Sequence, residues 1–203
     1  MVIIGLTGGI ACGKSTVSDW LREHYGANIL DTDAIAWELA EPGQALWQQY
    51  VARYGRERAL NADGTLNRRA IGAIVFSDAG EKEWMDAMAH PLIREETVRR
   101  LAVCRENKAP AAVLDVPLFF EAGWEDMADE AWVVYARPEI QLARLMARNG
   151  FTEAEARSRI ASQMTPEERN RRADVVIDNS GTVAQTRAQV DDAWTRLLRR
   201  AAK

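Results

Sequence analysis

The stretch Val2-Ile3-Ile4-Gly5-Leu6-Thr7-Gly8-Gly9-Ile10-Ala11-Cys12-Gly13-Lys14-Ser15-Thr16-Val17 decides the fold. Its first five residues are apolar without alternation, as in a strand buried on both faces of a parallel sheet. Thr7 to Gly13 is a glycine-rich turn. Ser15 to Tyr25 follows with helical spacing, placing Val17, Trp20 and Leu21 on one face and Gly26 as a C-cap. Gly8 to Ser15 matches G-x-x-x-x-G-K-S, and strand, turn and helix are the context in which that pattern has meaning. Glycines let the backbone curl so that several N–H groups converge on a β-phosphate, and the helix adds its positive end. Lys14 then reaches the β- and γ-phosphates, and the Ser15 hydroxyl ligates Mg²⁺. Gly8, Gly9, Ile10, Ala11, Cys12, Gly13, Lys14, Ser15 and Thr16 are thereby assigned to ATP. Cys12 either fills a small position or is activated as a thiolate by the surrounding amides.

Working outward, Ala27 to Leu30 reads as a second short strand that ends at Asp31-Thr32-Asp33. From Ala34 to about Asn107 the pattern is helical, with breaks at Pro42-Gly43, Gly55, Asp63-Gly64 and His90-Pro91. That length is too great for a loop and predicts a helical insertion. Ala111 to Phe120 and Ala131 to Tyr135 return to buried strands. Pro138 to Arg148 and Thr152 to Met164 are helices, the second opened by a Thr152/Glu155 capping box. A short strand at Val175 to Ile177 and a helix from Val183 to Ala202 complete the chain. Strands alternating with helices predict an α/β fold, a parallel sheet flanked by helices, with ligands at the carboxyl ends of the strands.

Composition narrows the classes. The chain has 203 residues with 47% hydrophobic and 28% charged, enough for a core and unlike a disordered chain. Its net charge of −4 argues against a protein that wraps nucleic acid. Only Lys14, Lys82, Lys108 and Lys203 are lysines among 26 basic residues, an arginine bias suited to bidentate phosphate contacts. Cys12 and Cys104 lie far apart and offer neither a metal-ligand spacing nor a required disulfide. The apolar start is too short for a signal peptide or a membrane span, so a cytoplasmic protein with no membrane partner is expected.

Two strand ends carry carboxylates. Asp31 and Asp33, two apart, point the same way in an extended segment. One of them can then orient an attacking hydroxyl and accept its proton, with the other near the metal. Asp33 can equally serve as an N-cap. Asp115 can hold the water shell of Mg²⁺, although Val116-Pro117-Leu118 carries the apolar run past it.

Several further stretches converge on one family. GLTGGIACGKSTV (Gly5–Val17), LDTDAIAWEL (Leu30–Leu39), DGTLNRRAI (Asp63–Ile71), HPLI (His90–Ile93), DVPLFFEAG (Asp115–Gly123), RLMARNG (Arg144–Gly150) and ADVVIDNSG (Ala173–Gly181) together resemble the dephospho-coenzyme A kinases. The resemblance implies a P-loop NTPase core at 1–33, 108–136 and 166–203, a helical acceptor-binding domain at 34–107 and a short lid at 137–165. It implies ATP-dependent phosphorylation of the ribose 3′-hydroxyl of dephospho-coenzyme A, the last step of coenzyme A synthesis, with Mg²⁺. It makes Asp33 the catalytic carboxylate and brings Arg144 and Arg148 down over the phosphates. It places Asn67, Arg68, His90, Pro91 and Glu121 at the acceptor, with Arg68 on its pyrophosphate. Asn179 and Gly181 fall where related kinases bind adenine, and Asp31 and Asp115 accompany Ser15 at the metal. Ala11 and Cys12 stand where the family commonly has Gly-Ser, and Ala11 suits that place only if its φ is negative. The expected state is a monomer or small homo-oligomer. Competing expectations are another P-loop kinase, for nucleosides, nucleoside monophosphates or shikimate, and a nucleotide-dependent switch. The switch would need a hydrolytic Gln or an arginine finger.

Overall fold

The structure is a computed structural model that describes residues 1–201, so the Ala202 end of the last expected helix lies outside the described residues. Among the described residues five strands form one sheet: β1 (Val2–Gly8), β2 (Asn28–Asp31), β3 (Ala111–Asp115), β4 (Glu130–Tyr135) and β5 (Val175–Asp178), in the order β2-β3-β1-β4-β5. The β1/β3, β1/β4 and β4/β5 pairings are parallel, with Leu6 opposite both Asp115 and Trp132. The unalternating apolar run of β1 takes the central place, and from Ile3 onward every residue of it is buried.

Among the described residues there are ten α-helices: α1 (Lys14–Tyr25), α2 (Thr32–Leu39), α3 (Ala45–Tyr54), α4 (Arg56–Ala59), α5 (Arg68–Ser77), α6 (Ala79–Glu106), α7 (Pro138–Asn149), α8 (Glu153–Ala161), α9 (Pro166–Arg172) and α10 (Val183–Ala201). The chain divides into two compact units, Met1–Leu30 with the chain from Cys104 onward, and Asp31–Val103. In the first, Val17 and Leu21 of α1 and Val190, Trp194 and Leu197 of α10 pack with Ile4, Leu6, Trp132 and Ile177 of the strands. Burial of each such aliphatic side chain stabilises the fold by roughly 1.5–3 kcal/mol. In the second, Leu46, Leu66, Ile71 and Val75 form the centre of a separate apolar cluster.

Three expectations are corrected. His90-Pro91 does not break the chain, because Pro91 lies inside the 28-residue α6. Proline there leaves the carbonyl one turn before it without its helical donor. Met85, Met88, Ala89, Leu92 and Ile93 pack on the apolar cluster to either side and carry the helix through. The third strand stops at Asp115 rather than running to Phe120: one further bond, Val116 N to Leu6 O at 3.0 Å, precedes Pro117, which has no N–H to give. The expected helix from Thr152 to Met164 is shorter, ending at Ala161, and a separate α9 follows it, capped by Thr165 with Pro166 in its first turn.

Candidate active site

The glycine-rich turn joins β1 to α1 at the carboxyl end of the central strand. Gly13 has φ +90° and precedes Lys14, the first residue of α1. A Cβ on Gly13 would also fall 2.0 Å from Asn179 Nδ2, so both conformation and space demand glycine. At Gly9 space alone decides, since a Cβ there would lie 2.7 Å from Gln141 Nε2 and 3.3 Å from Arg169 Nη1. Ala11 has φ +59°, contrary to the condition under which alanine suits that place. A non-glycine residue in that conformation costs about 1–2 kcal/mol. Cys12 is buried, and its burial pushes the thiol above its ordinary range, against smaller opposing effects that include the Arg169 and Arg144 charges. Burial therefore works against the thiolate alternative.

Lys14 is ion-paired with Asp115, whose side chain is 6% exposed at the end of β3. Because the strand ends there, Asp115 occupies the strand-end place that the longer apolar run denied it. Ser15 is exposed in the first turn of α1, next to Thr16. Asn179 does not present its amide to a base. It is buried, with Nδ2 donating to Cys12 O at 2.8 Å and Oδ1 accepting from Thr186 Oγ1 at 2.8 Å, so it braces the loop against α10. Gly181 lies beside it and lines a cavity of about 650 Å³ with Arg137, Asp178, Ser180 and Gln185.

The peptide of Ile10 is gripped from both sides. Its N–H donates to Gln163 Oε1 at 2.8 Å, and its carbonyl accepts from Gln141 Nε2 at 2.9 Å. Among the arginines of α7 and α9, three differ sharply in environment. Arg144 and Arg148 share a helix, but not an environment. Arg144 is half-buried, with Nη1 enclosed and without a hydrogen-bond partner among the described residues. Arg148 is exposed and donates to Asn149 Oδ1, so it does not accompany Arg144 inward. Arg169, on α9, is 3% exposed. Its Nη2 donates to Met164 O at 2.9 Å and lies 3.5 Å from Glu121, while Nε is buried without a hydrogen-bond partner. Glu121 also accepts from Met164 N at 3.2 Å, so this carboxylate anchors Arg169 and the segment before it.

Arg169, Gln141 and Gln163 were absent from the sequence assignment. Arg169 sits in the run Glu-Glu-Arg-Asn-Arg-Arg, where nothing local tells the inward arginine from its solvated neighbours. The signal that could have found it was the helix start Thr165-Pro166-Glu167-Glu168, which fixes the face of each arginine.

In the helical unit, Asp31 and Asp33 do not point the same way along a strand. Asp31 ends β2 and caps α2, its Oδ1 accepting from Asp33 N at 2.9 Å and Ala34 N at 3.2 Å. Asp33 is exposed in the first turn of that helix, so the capping role falls to Asp31 and not to Asp33. Asn67 likewise caps α5, its Oδ1 accepting from Ala70 N at 3.0 Å, and Arg68 is the first residue of that helix. His90 and Pro91 are exposed on α6.

The donor set fits a polyphosphate. Buried, unmatched N–H groups on Arg144 and Arg169 carry a desolvation cost that an anion relieves. For a divalent cation, the described residues hold no cluster of three or more His, Cys, Asp or Glu side chains. An ion that keeps most of its waters and takes phosphate oxygens, as Mg²⁺ does, needs no such cluster and fits Ser15 with Asp115.

A model of the dephospho-CoA kinase family matches residues 2–185. The chain is 48% identical over 194 residues to a dephospho-CoA kinase from Symbiobacterium thermophilum, covering 96% of this chain and 80% of that one. A Thermus thermophilus crystal structure superposes with a TM-score of 0.82 at 34% identity, covering 97% of each chain. The dephospho-CoA kinase from Campylobacter jejuni superposes with a TM-score of 0.74 at 25% identity, covering 98% of each.

Proposed function

The chain belongs to the dephospho-CoA kinase family, and we propose that it transfers the γ-phosphoryl group of ATP to the ribose 3′-hydroxyl of dephospho-coenzyme A, giving coenzyme A. The observation that carries this reading is the set of enclosed, unmatched arginine donors beside a glycine-rich loop whose lysine stands at a strand-end aspartate. Its partners are two small molecules, ATP and dephospho-coenzyme A. Among the described residues no helix is long and apolar enough to cross a membrane, and both cysteines are free, which suits the cytoplasm.

The residues divide the work as follows. The loop amides from Ala11 to Thr16 and the positive end of α1 cradle the β-phosphate. Lys14 exchanges Asp115 for phosphate oxygens. Ser15 and Asp115 are the groups that would hold Mg²⁺, which neutralises charge between the β- and γ-phosphates when bound. Arg144 and Arg169 direct their unmatched N–H groups at charge that grows on the transferring group, where preorganised donors in a water-poor site count most. Asp33 orients the acceptor hydroxyl and takes its proton as the new O–P bond forms and the β–γ bridging bond breaks, leaving ADP. Arg68 holds the acceptor's pyrophosphate. The cavity at Gly181 takes the adenine of ATP.

The test is ADP release with Mg-ATP against dephospho-coenzyme A, adenosine, AMP, CMP and shikimate. Release with dephospho-coenzyme A alone, abolished in Lys14→Ala, is the expected result. Asp33→Asn should lower kcat by roughly 10²–10⁴, the usual scale for a positioned base. Near-normal turnover in Asp33→Asn would refute the role given to that residue, and equal release with another acceptor would refute the substrate.

A further inference from the structure

Trp37 lies on α2 one turn beyond Asp33, and i, i+4 spacing puts the two side chains on one face of that helix. The helix is held in place: Ala36 and Leu39 pack on the apolar cluster, and Glu38 is ion-paired with Arg100. The Trp37 indole itself is not in that cluster and remains 57% exposed. Its contact is with a charge, for the guanidinium carbon of Arg68 stands 3.5 Å from the ring centroid.

Arg68 is the first residue of α5, behind the Asn67 cap, and so sits at the positive end of a ten-residue helix. Among the described residues no protein acceptor takes a hydrogen bond from its guanidinium, in contrast to Arg53, Arg99 and Arg100, each engaged by a carboxylate. A guanidinium laid over an indole uses its face and leaves its five N–H donors in the plane. The result is a fork oriented by the indole on one face, with no donor taken by a protein acceptor among the described residues, on the same unit as Asp33.

We propose that Trp37 is a positioning residue for the acceptor: it holds the Arg68 fork ready for a diphosphate ester and ties the place of that anion to the helix that carries Asp33. This rests on the reading of Arg68 as the contact for the acceptor's pyrophosphate. Without the indole, Arg68 retains its charge and loses its orientation. The effect therefore falls on the acceptor and not on the nucleotide.

The experiment measures KM for dephospho-coenzyme A and, separately, for ATP in Trp37→Leu, Trp37→Tyr, Arg68→Ala and the Trp37→Leu/Arg68→Ala double variant. Trp37→Leu is expected to raise the acceptor KM about two- to fivefold, the scale of an exposed cation–π contact, with the ATP KM unchanged. Trp37→Tyr, which keeps an aromatic face, is expected to restore most of the loss. Arg68→Ala is expected to raise the acceptor KM further, and the double variant to match Arg68→Ala alone, because Trp37 acts through Arg68. Multiplying effects in the double variant would overturn the proposal, as would an unchanged acceptor KM in Trp37→Leu while Arg68→Ala raises it. An unchanged acceptor KM in Arg68→Ala would instead remove the pyrophosphate reading, and the proposal with it.

Discussion

Replacing Asn179 by Ala separates two roles that its position allows. The side chain makes two buried hydrogen bonds of 2.8 Å, one to the Cys12 carbonyl inside the phosphate loop and one from Thr186 on α10. A net contribution of about 0.5–1.5 kcal/mol per bond is usual, and an abandoned buried partner costs about 1–3 kcal/mol. Thr186 retains a second acceptor, Thr182 O at 3.3 Å, so the heavier loss falls on the Cys12 carbonyl. The expected destabilisation is roughly 2–3 kcal/mol. At about 2–4 °C per kcal/mol for a chain of this size, Tm should fall by about 5–10 °C, read by differential scanning calorimetry. ATP KM should rise because the loop amides lose their fixed position, while the ratio of the KM values for ATP and GTP stays as it was. A base-contacting Asn179 would give the opposite pattern, an altered ATP/GTP preference with little change in stability. A Tm shift under about 1 °C would refute the bracing argument.

Ala11 offers the reverse test of the same loop. With φ +59°, Ala11→Gly should relieve about 1 kcal/mol and raise Tm by roughly 2–4 °C, whereas Gly13→Ala adds a Cβ at 2.0 Å from Asn179 Nδ2 and should lower Tm. The Asn179→Ala background should relieve part of that second loss, and calorimetry of the three variants checks both points. In the helical unit, hydrogen bonds from Arg99 and then Arg100 prevail over burial and hold the Glu96 carboxyl at about 2. A depressed folded-state pKa contributes stability that is present above the unfolded-state value near 4.5 and lost as pH falls toward 2. Glu96→Gln should therefore flatten Tm against pH in that window, and an unaltered acid limb would contradict the pairing.

Much of the core was legible because its signals are local. An unalternating apolar run, a glycine turn and an amphipathic helix in succession leave few alternatives at residues 2–25. The capping box of Thr152 and Glu155 is present as its residues imply. What escaped depended on contacts distant in sequence. Two aspartates two apart are equivalent as caps until the end of β2 is known, and it is Asp31 that closes that strand. Pro91 signals a break by every local rule, yet apolar packing on either side of it outweighs one missing hydrogen bond. Asn179 and Arg169 are polar residues in polar surroundings: the first is turned by the Cys12 carbonyl in a loop 167 residues earlier, the second by Met164 O and Glu121. The Trp37–Arg68 stack is invisible for the same reason, since no periodicity relates the two residues.

The ion pair between Lys14 and Asp115 has a consequence for selectivity among anions. A bare lysine in a phosphate cradle would attract chloride, sulfate or inorganic phosphate, all of them abundant. Here any entrant must displace a carboxylate held close in a nearly dry setting, where separating the partners is costly. A small ion brings one cluster of charge and cannot offset that loss. If the site works as proposed, a triphosphate brings a chain of oxygens that engages loop amides, lysine and arginines together, so each contact raises the effective concentration of the next. On the proposed reading the carboxylate would act as a valence filter, and the expected result is an affinity that climbs steeply with the number of linked phosphates.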